Sequence, residues 1–255
     1  MNRCVFVSVA FCLAGPSAWA YETAPVKDGA TVTGRVTLSG TPAQPERAKF
    51  PQALATPDRT LCDTKRPLIT PFYDTGPEGE LAHVVVWIEG VRAGKPLTRS
   101  QGSMINEDCR FLPHVQTLDV GAKVQVENQD PIFHNTHAIY QDQPITAFNL
   151  GMPRKGQVAL KRIRRPGTLK IQCDAGHTWM RAWIHAFQHP YHDVTGADGR
   201  FEIADVPAGE YVLHFWHENS GTLTRPLALA AGGTSEQEAT FEAKPLPKAH
   251  AEGIH

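Results

Sequence analysis

The stretch FLPHVQTLDVGAKVQVENQDPIFHNTHAIY, residues 111–140, carries the alternation on which the fold reading rests. Its apolar opening reads as a strand and Gly121 supplies a turn. KVQVEN then sets Val124 and Val126 on one face and Lys123, Gln125 and Glu127 on the other. A period of two residues marks a strand with one buried face. The segment that follows reads as a loop bearing His134 and His137. Working outward, TVTGRVTL at 31–38 puts Val32, Gly34, Val36 and Leu38 on one side, and FEIADV at 201–206 alternates likewise. HVVVWIEG at 83–90 is a continuous apolar run, suited to a strand covered on both faces. KRIRRPG at 161–167 alternates basic with apolar residues and reads as the solvated face of a strand. The 21 glycines and 20 prolines are scattered, and no run of ten or more residues shows a helical period. The chain therefore reads as all-β, with several short strands. Residues 40–80, rich in Pro, Thr and Asp, read as a long ordered loop.

Residues 1–20, MNRCVFVSVAFCLAGPSAWA, join Arg3 to a short apolar run and the small-x-small sequence Ala18-Trp19-Ala20. That is the pattern of an export signal cut after Ala20, and the mature chain is expected in the periplasm or secreted. The run falls short of the ~20 residues a spanning helix needs, so no membrane insertion is expected. The whole chain has 25 Lys+Arg against 26 Asp+Glu, and losing the leader removes only Arg3 from that balance. A near-neutral chain without a basic cluster gives no sign of nucleic acid as a partner. Cys4 and Cys12 leave with the leader, so Cys62, Cys109 and Cys173 remain. Export favours a disulfide, and an odd count leaves one thiol over. Cys173 stands in CDAGHTWM, 173–180, beside His177 and Met180, whereas Cys62 and Cys109 have no such company. Cys62–Cys109 is the expected bridge, reserving Cys173 as a thiolate; the sequence leaves the other two pairings open.

The motifs F-x-P and N-x-D-x-x-x-H-N in 111–135, with Leu118 at the valine position of the family's V-x-x-G, followed by Pro166-Gly167 and then Cys173, His177 and Met180, resemble the cupredoxin family. The resemblance spans about 100–188 and implies a Greek-key β-sandwich or barrel holding one copper ion, type 1-like or a variant. Carried over by position, it makes His134, Cys173 and His177 the equatorial ligands and Met180 the candidate axial one. A His2Cys site with a long thioether contact suits copper cycling between Cu(I) and Cu(II), and so electron transfer with a redox partner protein. The two residues between His177 and Met180 are fewer than in plastocyanin- or azurin-like loops, so His137 or His114 is a possible substitute. Asn135 resembles the cupredoxin asparagine that pins the cysteine loop. Asp174 reads either as a residue admitting water beside Cys173 or as a turn cap. Trp179 and Trp183 read as packing around the loop.

HPYHDVTGADGRFEIADVPAGEYVLHFWHENSG, 189–221, matches the pattern T-x-x-D-G-x-F-x-I-x-x-V-P-x-G-x-Y-x-L and resembles a carboxypeptidase-regulatory-like or transthyretin-like β-sandwich. ATVTGRVTLSGTP, 30–42, resembles that family's opening strand. The whole is similar to an exported bacterial group called methylamine-utilisation-like. The expected organisation is a signal at 1–20, a β segment at 21–99, the cupredoxin-like domain at 100–188, the small sandwich at 189–243 and a flexible tail at 244–255. The β segment completes either the sandwich or the cupredoxin sheet. Two other functions fit the residues: a non-redox binding module without tight metal, and a copper or zinc buffer using His185, His189, His192, His214 and His217. No enzyme is expected, since G-x-S-x-G, H-E-x-x-H and a P-loop are all missing. A Cys173–His177 hydrolase would need the pair to face each other across a very tight loop.

Overall fold

Alternating strands bury one face only when two sheets meet, and the chain solves this twice. The computed structural model describes residues 20–42, 46–47, 50–64, 69–70 and 73–244. The signal and tail read at 1–20 and 244–255 lie outside these residues, apart from Ala20 and Lys244. The fold is all-β, with one short helix among the described residues.

One sandwich is built from residues 102–187. Its four-stranded sheet runs Gln157–Arg162, Lys123–Asn128, Gly102–Glu107, Arg110–Leu112. Its five-stranded sheet runs Thr146–Met152, His134–Tyr140, Gly167–Gln172, Arg181–Phe187, Val115–Asp119. Val124, Val126, Leu169, Ile171 and Ile184 are fully buried between them, and Cys173 and Met180 belong to the same cluster. His134 and His137 lie on a strand, where the sequence reading placed them in a loop. Three residues apart on a pleated strand, they face opposite ways: His134 is buried and His137 is partly exposed.

In the second sandwich Ala30–Ser39 lies between Arg200–Val206, antiparallel, and Thr234–Glu242, parallel. The facing sheet runs His192–Val194, Val85–Glu89, Gly209–His217, Gly221–Leu229. The chain thus begins this sandwich, departs to build the other, and returns to finish it. Gly34 is required at its centre, because a Cβ there would sit 1.8 Å from the Gln237 carbonyl oxygen and 2.7 Å from the Phe201 ring.

Carboxylates join the two sandwiches. Glu218, on the turn after Gly209–His217, accepts from the Trp183 indole N–H at 2.8 Å and pairs with His114, and its Oε2 lies 3.2 Å from Arg181 Nε. Burial alone would raise its carboxyl, but His114, Arg181 and Trp183 hold it down at about 2. Asp119 plays a similar part, meeting His192 Nε2 at 3.1 Å and accepting from Arg99 N–H at 3.0 Å.

The segment 40–80, read as a loop, contains a helix, Thr56–Thr64. Nine residues are too few to show a period, and its start is marked only by Pro57 and by Asp58 in the first turn. A Cys62–Cys109 disulfide fastens it to the first sandwich, and Cys173 stays free and buried. Among the described residues no helix is long and apolar enough to cross a membrane.

Candidate metal centre

The strand His134–Tyr140 and the turn after Gly167–Gln172 end side by side, which brings His134 against Cys173 and His177. Their ligating atoms lie within 4.8 Å of one another. His134 Nδ1 is 3.1 Å from His177 Nδ1, and Cys173 Sγ is 3.4 Å from His177 Nδ1. Two imidazole nitrogens facing each other at this distance need a shared proton or a cation between them. An ion bound at ~2.0–2.3 Å by nitrogen and sulfur would set these donors about 3.4–3.8 Å apart. The two separations that His177 makes fall a few tenths of an ångström short of that or at its lower edge, and the whole set lies within 4.8 Å, so the donors fit a metal with a small rearrangement.

The outer nitrogens differ: that of His134 is hydrogen-bonded, and that of His177 is near a carboxylate without hydrogen-bond geometry. His134 Nε2 meets Asp130 Oδ2 at 2.8 Å, and His177 Nε2 lies 3.3 Å from Asp58 Oδ2. The carboxylate bonded behind His134 favours a proton on its Nε2 and frees its Nδ1 to ligate. Asp130 is tied down further by N–H groups of Asp108 and Cys109, both at 2.9 Å. Those two residues have φ of 49° and 57°, the left-handed region, and the shared carboxylate stabilises that turn. Burial would raise the Asp130 carboxyl, but His134 and the two N–H groups bring it below the ordinary value.

Cys173 is held by the Asn135 N–H, 3.3 Å from Sγ. Burial pushes its thiol up, against the lowering effect of nearby backbone N–H groups. The Asn135 side chain accepts from Asp174 N–H at 3.3 Å and so fastens the cysteine loop to the histidine strand. Burial also holds His177 below the usual imidazole value, followed by the nearness of His134. Met180 is buried, and its N–H donates to the His177 carbonyl at 2.9 Å, closing the turn.

The other histidines lie elsewhere. His137 faces outward, with Nδ1 2.6 Å from Asp174 Oδ2 and Nε2 2.8 Å from Thr146 Oγ1. That contact gives Asp174 a partner different from both roles read in the sequence. His114 is committed to Glu218. Trp179 packs 5.3 Å from the His177 ring, but Trp183 points away, to Glu218 and Trp216. The five histidines of the buffer reading each have a local contact: His185 with Thr168, His189 with Tyr191 N–H, His192 with Asp119, His214 with Glu89 and His217 with Asn219 N–H. Among the described residues the only grouping of three or more potential His, Cys or acidic ligands is His134, Cys173 and His177.

Asp130 enters the sequence reading only as the D of N-x-D-x-x-x-H-N, with no role given to it, and Asp58 was not singled out. Asp130 had a local signal, standing four residues before His134; Asp58 had none.

No protein-family model matches the chain, and no curated protein matches it. Solved structures do. A novel purple cupredoxin from Nitrosopumilus maritimus is 20% identical, over 34% of this chain and 99% of its own, with a TM-score of 0.30. Amicyanin from Paracoccus versutus is 18% identical over 34% of this chain and 81% of its own, with a TM-score of 0.30. A mutant amicyanin in its reduced state is 18% identical over 34% and 82%, with a TM-score of 0.31.

Proposed function

We propose that the chain is an exported copper protein that passes single electrons to and from a redox partner, with His134, Cys173 and His177 as ligands and Met180 as the axial group. The observation that carries this reading is the convergence of one thiol and two imidazole Nδ1 atoms in a buried site whose outer imidazole nitrogens lie near carboxylates. Thiolate softness favours Cu(I), imidazole accepts both states, and such an ion supplies one-electron chemistry. The protein's share is to hold the donors still. Asp130 fixes the His134 ring, Asp58 places a carboxylate near the His177 ring, the Asn135 N–H steadies the sulfur, and Trp179 keeps water from the loop. The small sandwich serves as a docking module, and the periplasm is the expected compartment.

The test is one equivalent of Cu(II) added to the purified protein, followed by visible and electron paramagnetic resonance spectra. An intense copper–thiolate band that disappears in Cys173→Ser, with circular dichroism unchanged, supports the reading. A pale spectrum of nitrogen and oxygen ligands rejects it.

A further inference from the structure

A site that exchanges its ion freely needs a path to water, and this one has its donors closed off. His134 and His177 are 0% exposed and Cys173 is 5% exposed. Residues 50–64 form the cover. Phe50 meets the Trp179 ring edge-on at 5.0 Å, and Leu54 lies over Gly176, 3.6 Å from where a Cβ would stand. Asp58 reaches His177 Nε2, and Arg59 donates to the Pro51 carbonyl at 2.8 Å, bracing the cover internally.

The cover has one covalent fastening, Cys62 to Cys109. Cys62 is four residues after Asp58 on the helix Thr56–Thr64. Cys109 lends its N–H to Asp130, which holds His134, and its carbonyl accepts the Trp179 indole N–H at 3.0 Å. One bond therefore connects the carboxylate behind each ligand ring to the other. A nine-residue helix is shorter than the ~12–15 residues that persist unaided, and its buried side chain is Cys62 itself. Without the bond the cover rests on contacts at Phe50, Leu54, Asp58 and Leu61.

We propose a further function for this centre: it captures and releases its copper under control of the Cys62–Cys109 disulfide, which acts as a latch. This rests on the metal reading above. The opening agent is a dithiol. Its thiolate attacks one sulfur, forming a mixed disulfide and releasing the other cysteine; its second thiolate then attacks the reductant's own sulfur in that mixed disulfide and releases the remaining cysteine. Two electrons and two protons pass to Cys62 and Cys109, and the reductant leaves as its own disulfide. Cys173 takes no part, and the freed cover exposes the ligands to an acceptor.

The experiment follows the transfer of Cu(I) from the full loaded protein to bicinchoninate without oxygen. It compares wild type, Cys62→Ser/Cys109→Ser, and Leu54→Ala with the disulfide intact. Transfer is expected at least tenfold faster in the double variant and at an intermediate rate in Leu54→Ala, with one copper ion bound per chain at the start in both. Should the double variant not fold, wild type reduced by a phosphine takes its place. Equal rates across the set, with one ion bound in each, overturn the latch and leave the copper reading standing. A wild type that retains no copper overturns both.

Discussion

Asp130→Ala removes the carboxylate that three donors share. His134 Nε2 at 2.8 Å and the N–H groups of Cys109 and Asp108 at 2.9 Å lose their acceptor together. His134 and Cys109 are both 0% exposed, so water cannot replace it there, while Asp108 is partly exposed. A buried donor left unpaired costs about 1–3 kcal/mol, and two of them give about 4 kcal/mol. The Asp108–Cys109 turn also loses the contacts that hold its left-handed backbone. Asp130→Asn keeps an oxygen for one donor and turns an NH2 toward another, so it is expected to lose about 2 kcal/mol. Urea unfolding of the metal-free proteins, followed by near-ultraviolet circular dichroism, gives both numbers. A loss below about 1 kcal/mol in the alanine variant refutes the claim that this carboxylate bridges the disulfide turn and the histidine. A normal copper–thiolate band in that variant refutes the claim that it orients the ring.

Glu218, held at about 2 against an ordinary 4.5, contributes stability that is present above about pH 4.5 and lost as pH falls toward 2. That shift corresponds to about 3 kcal/mol, and Glu218→Gln is expected to flatten the acid limb of the stability curve in this window; an unchanged limb rejects the assignment. Met180→Leu nearly conserves volume, so the metal-free protein is expected to stay within about 1.5 kcal/mol of wild type while the Cu(II) spectrum shifts. A spectrum identical to wild type returns Met180 to the core.

The difference between what the sequence disclosed and what it withheld is one of range. Alternation at Val124 and Val126 and the unbroken run at 83–90 are local, because a strand shows its buried face in its own residues. Cys173 and His177 could be read together because one turn holds both. His137 could not be separated from His134 by type; only the strand beneath them, with its period of two, turns one inward and the other outward. The helix Thr56–Thr64 escaped because about two and a half turns leave little periodic trace, and it is cross-linked to a residue 47 positions away.

The same distinction divides the two supporting carboxylates. Asp130 is four residues from its histidine, and the strand entry that places His134 also places Asp130, so the pair could be found by asking what stands behind the ring. Asp58 comes near His177 from a helix that Cys62 fastens to Cys109, and no spacing in the chain encodes that meeting. A carboxylate on a helix fastened by a reducible bond is a weaker structural support than Asp130, yet it is the one set behind the histidine of the cysteine loop. Steady electron transfer alone does not call for that arrangement. It fits a centre that keeps His134 in place at all times and lets the loop side open when the disulfide is reduced.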